Sequence, residues 1–450
     1  MKKFIPFIFA FVFCFAAFAD APEQSIELSD IQVLQLAGAM AAHGEIDAAI
    51  QIYNLLLQSP DISVRTEAAF QLANIAMAHG NFNQAIIILR AILNRNPDLH
   101  RVRLELALAY FMNRNFQAAQ FHFEFVRATP DLPAEVAARI DNFLMLIRRE
   151  RNWDFDIRFA IVPDSNINTV SGITEECIMT IFGPLCRPLE EQASGVGVRL
   201  AAQGSHYTRL SERFGIRTTA AVSALDFMGH DWSDYSLMIA SGPRYAFNRG
   251  EISLQPNYTS RWLHGNHFSH SYGLMLNTDW QIFGRTFIGG GANVRQNRFN
   301  AEHMRDLFGN SIDWGASTNM RHFIDNRSFI LLGTGFNHSG ARVDFLRQNS
   351  FNYSIGYFRE FGNGWTSFSR IDLVNTRFRG DQWFVMQDQT MQDLRRRDWT
   401  TQFHTRLSHR RFQWNNLTPA LAYTYTRRDS NVWSSEFDKH RIEIEIIRQF

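Results

Sequence analysis

The sequence predicts two kinds of structure in one chain, a repetitive helical region followed by a closed β-barrel that crosses a membrane. At Trp153 the spacing of apolar residues changes from about 3.6, typical of helices, to the period of two typical of strands. The connections after this point alternate between short turns and long polar loops, as in transmembrane barrels. The final strand is amphipathic and ends in the aromatic Phe450. The predicted fold class is therefore α plus membrane β.

The amino-terminal residues predict export. Lys2 and Lys3 precede an apolar run and the sequence Ala17-Phe18-Ala19, so residues 1–19 are expected to be a secretory signal peptide. No later run reaches the roughly 18 apolar residues that a membrane-spanning helix needs, so a membrane location would have to rest on strands. The chain has 450 residues, a formal charge of +1 and 40 phenylalanines, which excludes a disordered protein.

Two cysteines remain after the expected cleavage, Cys177 and Cys186. An even pair in an exported chain favours a disulfide, and two free thiols are the alternative. A loop of this length would gain roughly 2.5–3 kcal/mol from the cross-link, enough to fix one loop but not the fold.

Residues 28–150 show a helical repeat. The segments beginning at His43, His79 and Asn113 each place a turn between two apolar helices, and Pro60, Pro97 and Pro130 follow the second helix of each pair. This region resembles a tetratricopeptide array, with a last helix over about 133–149 as its cap. In the third unit Arg114 replaces the turn glycine. Small residues are expected where paired helices approach closely: Ala37, Ala49, Ala73, Ala85, Ala107 and Ala119.

Such an array exposes a concave face that commonly binds a polypeptide. The repeat positions assign to this expected substrate-binding groove Glu67, Phe70, Asn74, Met77, Arg101 and Phe111. Phe70, Met77 and Phe111 are expected to form an adaptable apolar surface, whereas the intervening leucines are expected to be core.

Residues 153–450 are expected to form a 14-stranded antiparallel transmembrane barrel. The candidate strands begin near residues 153, 193, 211, 233, 250, 268, 284, 309, 327, 348, 364, 396, 412 and 436. A soluble β-sandwich is the alternative, but large aromatics opposite polar residues on nearly every strand favour lipid contact. An even strand number leaves both ends of the barrel domain on the periplasmic side, where residues 28–150 would lie. The residues expected to line the lumen are Asp154, Arg158, Asp279, Arg321, Arg406 and Glu445.

We find no catalytic constellation in the sequence. His264, His267 and His270 have the spacing of metal ligands but no acidic partner nearby, and are interpreted as loop residues. His338 and Ser339 are adjacent on a strand and point to opposite faces, which excludes a shared triad. We therefore expect no enzyme activity, cofactor or metal, and no nucleic-acid binding, since basic and aromatic residues do not cluster as it requires.

The motif after the first predicted strand, Pro163-Asp164-Ser165-Asn166-Ile167-Asn168, resembles a segment characteristic of the Slam family, the surface lipoprotein assembly modulators. The closing segment from Lys439 to Phe450 is similar as well, and the order of signal, helical array and barrel agrees. The loop from Cys177 to Cys186 has no counterpart that we can place in the family pattern.

The resemblance implies a translocator in the cell outer membrane that delivers lipoproteins, or related secreted ligand-binding proteins, from the periplasm to the cell surface. The implied partners are a polypeptide substrate, outer-membrane lipid and the barrel assembly machinery. Two alternatives stay open: a polysaccharide exporter, whose barrel also pairs with a tetratricopeptide domain, and an envelope scaffold with a plugged barrel.

Overall fold

A computed structural model describes residues 28–414 and 417–448. The expected signal peptide and Phe450 lie outside these residues. The chain forms two compact units, one up to Ala68 and one from Ala69 onward. The helices are α1 (Asp30–Ala42), α2 (Ile46–Leu56), α3 (Ile62–Ala78), α4 (Phe82–Arg95), α5 (His100–Met112), α6 (Phe116–Arg127), α7 (Ala134–Glu150) and α8 (Glu302–Phe308). In the part of the chain described, no helix has both the length and the apolar composition to cross a bilayer.

The turns within the helix pairs each place one residue in the left-handed region. Gly44, between α1 and α2, has φ +88°, and Gly80, between α3 and α4, has φ +74°. Arg114 takes the same position between α5 and α6 with φ +57°. Since a side chain in this region costs roughly 1–2 kcal/mol, the third turn is held by the packing around it rather than by its own preference.

The helices pack through small residues, as predicted. All six expected alanines are 0% exposed: Ala37, Ala49, Ala73, Ala85, Ala107 and Ala119. In the second unit the core of the helices includes Leu89, Leu106, Phe123 and Leu144, each at most 1% exposed. The prediction of closely packed helices is confirmed for these positions.

The strands are β1 (Trp153–Asp164), β2 (Glu175–Thr180), β3 (Gly183–Pro188), β4 (Gly195–Arg209), β5 (Phe214–Phe227), β6 (Ser233–Phe247), β7 (Gly250–Leu263), β8 (Asn266–Phe283), β9 (Thr286–Phe299), β10 (Ile312–Phe323), β11 (Ser328–Ser339), β12 (Gln348–Glu360), β13 (Trp365–Phe378), β14 (Gln382–Val385), β15 (Met391–Leu394), β16 (Arg397–His409), β17 (Leu417–Ser430) and β18 (Phe437–Arg448). Fourteen of them close into one barrel in the order β1-β18-β17-β16-β13-β12-β11-β10-β9-β8-β7-β6-β5-β4. All neighbouring pairs for which a register is defined are antiparallel, including β1 with β18. The predicted 14-stranded barrel is confirmed.

The barrel is apolar outside and polar inside. In β18, Ile442, Ile444 and Ile446 are 45%, 56% and 45% exposed, whereas the alternate residues Glu443 and Glu445 are 2% and 0% exposed. The same alternation places rings such as Trp314, Tyr353 and Trp399 on the outer surface of other strands. A closed sheet with large exposed apolar side chains satisfies its backbone internally, as hydrocarbon requires.

The two ends of the barrel differ. Short connections follow β4, β6, β8, β10, β12 and β16, and we call this the turn end. At the opposite, loop end, long connections carry the hairpins β2–β3 and β14–β15 and the short helix α8. One loop-end connection is short, because only His264 and Gly265 separate β7 from β8. The expectation that His267 and His270 are loop residues is therefore wrong, since both lie within β8.

Candidate functional site at the turn end and in the lumen

Helices α4–α7 contact the turn end of the barrel. Arg148 of α7 donates from Nη2 to the carbonyl oxygen of Asn248 at 2.5 Å, after β6. Asp98, before α5, forms an ion pair with Arg327, before β11, at 2.8 Å. The second compact unit therefore contains both the barrel and the helices that lie across its turn end.

A buried group of three charges joins α5 to two barrel turns. Arg103 of α5 donates to Glu360 at the end of β12 from Nη2 at 2.6 Å, and Arg410, after β16, pairs with the same carboxylate. The side chains of Arg103, Glu360 and Arg410 are 0%, 1% and 7% exposed. Arg103 also donates to the carbonyl oxygen of Pro97 at 3.1 Å. Two buried cations thus share one buried anion, and neither cation has bulk water to solvate it.

His122 of α6 lies beside this group. Its ring stacks on Tyr110 with the centroids 5.6 Å apart, and it is 2% exposed. Neither ring nitrogen has a hydrogen-bond partner within the described chain. Burial lowers the pKa of His122 well below its ordinary value of 6.5, and the positive charges of Arg103 and Arg410 lower it further. The imidazole is therefore neutral in the docked helices.

The end of α6 inserts phenylalanine into the barrel mouth. Phe125 is 0% exposed, and its ring lies 4.9 Å from that of Phe323 in β10 and 6.1 Å from that of Phe358 in β12. Phe287 and Ala128 complete this buried cluster. The preceding residue, Glu124, accepts from Arg321 of β10 at 2.8 Å. Side chains of α6 thus reach the inner wall at the turn end.

Sequence reasoning did not identify this contact, although a signal existed. Phe121 and Phe125 are four residues apart on one side of α6, whereas Phe123 points to another side of the helix. A helix that is apolar on more than one side needs partners on more than one side. Phe123 packs in the helical core and Phe125 packs in the barrel cluster.

All six residues assigned to the lumen lie on inward positions of their strands. Arg406 of β16 donates to Glu445 of β18 at 2.6 Å, and Arg158 of β1 lies 3.9 Å from the same carboxylate. Asp154 of β1 accepts from Arg151 at 2.7 Å. Arg321 pairs with Glu124 as described above, and the sixth residue, Asp279, alternates with the exposed Trp280 on β8. Both charge signs are present along this wall.

The residues assigned to the helical groove do not form one exposed surface. Phe70 is 2% exposed, which corrects the expectation of an adaptable surface there, because its side chain faces the helical core and Arg101 covers the ring at 4.4 Å. Met77 and Phe111 are half-buried against the same core, and Phe111 contacts Phe143 at 5.2 Å. The remaining positions, Glu67 and Asn74, are half-buried.

Two cysteines and three histidines singled out in the sequence lie at the loop end. Cys177 and Cys186 face each other across β2 and β3 and form a disulfide. His267 contacts Ser260 at 2.9 Å, and His264 contacts the carbonyl oxygen of Asp231 at 2.5 Å. His270 stacks on His267. The three histidines are held by neighbouring protein groups rather than gathered around a common point.

The motif 163–168 joins the first strand to the last at the loop end. Asp164 forms an ion pair with Lys439 at 2.9 Å, and the Lys439 ammonium also donates to the carbonyl oxygen of Asn166 at 2.7 Å. Ser165 Oγ accepts from the backbone N–H of His440 at 2.9 Å. The Asp164 and Asn166 residues are 5% and 0% exposed. We call Asp164, Ser165, Asn166 and Lys439 the clasp.

Two family descriptions match this chain. Residues 153–450 match "Surface lipoprotein assembly modifier", and residues 67–123 match the amino-terminal tetratricopeptide repeats of the same family. The chain is similar to the surface lipoprotein assembly modifier of Pasteurella multocida strain Pm70, with 21% identity over 87% of this chain and 78% of that protein. It is also similar to surface lipoprotein assembly modifier 1 of Neisseria meningitidis serogroup B, with 23% identity over 84% and 74%.

A third relative is the hemophilin secretion modulator of Acinetobacter baumannii, with 21% identity over 84% of this chain and 77% of that protein. The barrel match covers more than half of the chain, and it includes the motif 163–168 that indicated the same family from the sequence. The chain belongs to the surface lipoprotein assembly modifier family, and its barrel is an outer-membrane barrel.

Proposed function

We propose that this chain delivers lipoproteins from the periplasm to the cell surface through its barrel, with the turn end and helices α4–α7 in the periplasm. The observation that carries the proposal is a barrel that belongs to this family and has an inner wall of mixed charge under a helical layer. The helices provide the first surface that a polypeptide arriving from the periplasm meets. The loop end, with its two hairpins, faces the outside.

The charges of the inner wall suit an extended polypeptide. Arg406 with Glu445 and Arg321 with Glu124 offer hydrogen-bond donors and acceptors of both charge signs. A passing polypeptide exchanges hydrogen bonds with these groups, and a mixed wall does not select a polypeptide of one charge. A polysaccharide exporter with a lumen of one charge sign is not supported by these pairs. The periplasm contains no ATP to supply energy for transport. We infer that folding of the substrate outside the cell drives its transport, because folding makes return through the barrel unfavourable.

Passage requires movement at the turn end. Phe125 and Glu124 reach the inner wall, so a polypeptide that enters the lumen there displaces contacts of α6. Phe125 and its partners separate at the cost of exposed apolar surface, which an apolar segment of the substrate offsets by taking their place. We therefore propose that the helical layer both binds the substrate and closes the turn end of the lumen until the substrate displaces it.

The partners follow from this assignment. The exposed rings of the outer surface contact outer-membrane lipid, and insertion of such a strand array requires the barrel assembly machinery. The substrate is a polypeptide, and the chain acts as a non-enzymatic translocator.

The proposal is tested in cells with and without the chain, after labelling with radioactive palmitate. Intact cells are treated with a membrane-impermeant biotin reagent, and biotinylated labelled proteins are counted. We expect particular labelled lipoproteins to be biotinylated only when the chain is present, at equal total amounts. Equal biotinylation of every labelled lipoprotein in both strains would contradict the proposal.

A further inference from the structure

The first and last strands of the barrel are joined by an interrupted ladder. β1 pairs with β4 from Trp153 to Asp164, over its full length. Its pairing with β18 covers residues 158–161 and resumes at Asp164, and the N–H of Ser165 then donates to the carbonyl oxygen of His440 at 3.0 Å. Pro163, at the interruption, has no N–H to donate. We call the β1–β18 pairing the seam.

Interruption alone does not distinguish the seam. The β6–β7 pairing also skips residues 241–243, next to Pro243, but it continues on both sides, over 234–240 and 244–247. The β12–β13 pairing is unbroken from Gln348 to Glu360. Next to the interruption in the seam lie the side-chain contacts of the clasp.

Side chains close the seam where the backbone does not. At the loop end the clasp ties Asp164 and Asn166 of the first strand's end to Lys439 of the last strand. On the lumen side, Glu443 of β18 pairs with Arg199 of β4, across β1. Polar contacts of this kind re-form with water or with a substrate when strands separate, whereas a severed ladder inside hydrocarbon finds no replacement.

A lipoprotein presents a chemical problem that the lumen alone does not solve. Its acyl chains gain free energy with every methylene placed in lipid, but the inner wall beside the seam is lined by Arg158, Arg199 and Arg406 with Glu443 and Glu445. The outer side of the seam carries apolar side chains that lie in the bilayer. A direct path from lumen to lipid therefore runs between β1 and β18.

We infer that the seam is the lateral opening through which the acyl chains of the substrate enter the membrane, and that the clasp holds it closed at the loop end. This inference rests on the proposed function. Separation of β1 from β18 breaks only non-covalent contacts, and the strands remain anchored to β4 and β17 on their other sides.

The test locks the seam with a disulfide. Ile161 and Ile444 are direct partners across the seam, and both are lipid-facing, at 40% and 56% exposed. Opposite residues of antiparallel strands lie about 4.5–5.5 Å apart at Cα, a separation that a disulfide spans. The matched control is the isoleucine pair Ile355 and Ile371, which are partners in the unbroken β12–β13 ladder and are 53% and 43% exposed.

The two double variants, Ile161→Cys with Ile444→Cys and Ile355→Cys with Ile371→Cys, are expressed as the full chain. Biotinylation of palmitate-labelled lipoproteins is measured before and after a reductant, and disulfide formation is quantified by mass spectrometry. When the seam disulfide has formed, we expect the surface display of labelled lipoproteins, measured by their biotinylation, to fall to the level of cells without the chain. The reductant should restore this display. The control pair should display as the unmodified chain does.

Display by the oxidised seam variant equal to the control would overturn the inference, and so would a loss that reduction does not reverse. A second seam pair, Phe159→Cys with Ile446→Cys, guards against a folding defect specific to one substitution. If the unmodified chain itself displays no more lipoprotein than cells without it, the proposed function fails, which is a different result from failure of the seam inference.

Discussion

Neutralising Glu360 should release the helices from the barrel. Glu360→Gln keeps the shape of the side chain but removes the only carboxylate that the described residues place between Arg103 and Arg410. Two guanidinium groups, 0% and 7% exposed, then lack a counter-charge. Removing one member of such a buried group costs about 3–5 kcal/mol, because the remaining charges are not solvated.

The loss is measurable as helix unfolding in urea. Circular dichroism at the helical minimum follows all helices of the detergent-solubilised chain, including α4–α7, and the barrel strands contribute less to it. With a urea slope of about 1–3 kcal/mol per molar, a loss of about 3 kcal/mol lowers the transition midpoint by roughly 1–3 M.

The matched control is Glu212→Gln, on the turn after β4. Glu212 lies 4.0 Å from Arg149 of α7 but is 85% exposed, so its ion pair contributes about 0–1 kcal/mol. A midpoint for Glu360→Gln that is no lower than that for Glu212→Gln would refute the reasoning. Replacing all three charged residues by apolar ones of similar volume should restore much of the stability.

Three further outcomes follow from buried groups. Phe125→Ala should lower the unfolding free energy by about 3–5 kcal/mol, seen as a lower urea midpoint. Phe182→Ala, at a position 94% exposed, should change the unfolding free energy by less than about 0.5 kcal/mol. Equal effects of the two substitutions would contradict the packing of Phe125 in the barrel-mouth cluster. Because the pKa of His122 is depressed in the folded state, the unfolded state binds more protons below its pKa of about 6.5. Helix stability should therefore fall as the pH drops from about 6.5 to 5, by at most about 1.4 kcal/mol per pH unit. Urea titrations at several pH values should show this slope, and its persistence in His122→Gln would contradict the assignment. Lys439→Gln leaves Asp164 without its cation at 1% side-chain exposure and should cost about 3–5 kcal/mol, seen as a lower temperature for the gel-mobility shift of the folded barrel. Arg261→Gln, in an ion pair 46% and 45% exposed, should shift that temperature little, and an equal shift would remove the special role of the clasp.

The strands were predictable because each repeats one simple physical contrast. Alternation between lipid and lumen fixes the residue type at every second position, so Ile442, Ile444 and Ile446 identify a strand without knowledge of its neighbours. The strand predicted near residue 412 begins at Leu417, because a short 3-10 turn, Arg410–Phe412, comes first. Such a turn has no periodicity for a sequence to display.

The helical layer was less predictable because its contacts join distant parts of the chain. Arg103 and Glu360 are 257 residues apart, and nothing in either local sequence indicates the other. Phe70 was misassigned because repeat position alone does not say which side of α3 faces the core. The motif 163–168 signalled the family, but only the structure gives its physical role, which is to join β1 to β18.

The most direct test of the account is whether the polypeptide passes inside the barrel. Ser354 and Ile355 are adjacent in β12, and the strand's alternation points Ile355, 53% exposed, to lipid and Ser354 to the lumen. A photo-crosslinking phenylalanine analogue placed at either position is irradiated in living cells labelled with palmitate. The account predicts adducts with labelled lipoproteins from position 354 and not from position 355. Adducts from 355 alone, or from neither while display continues, would contradict transport through the lumen.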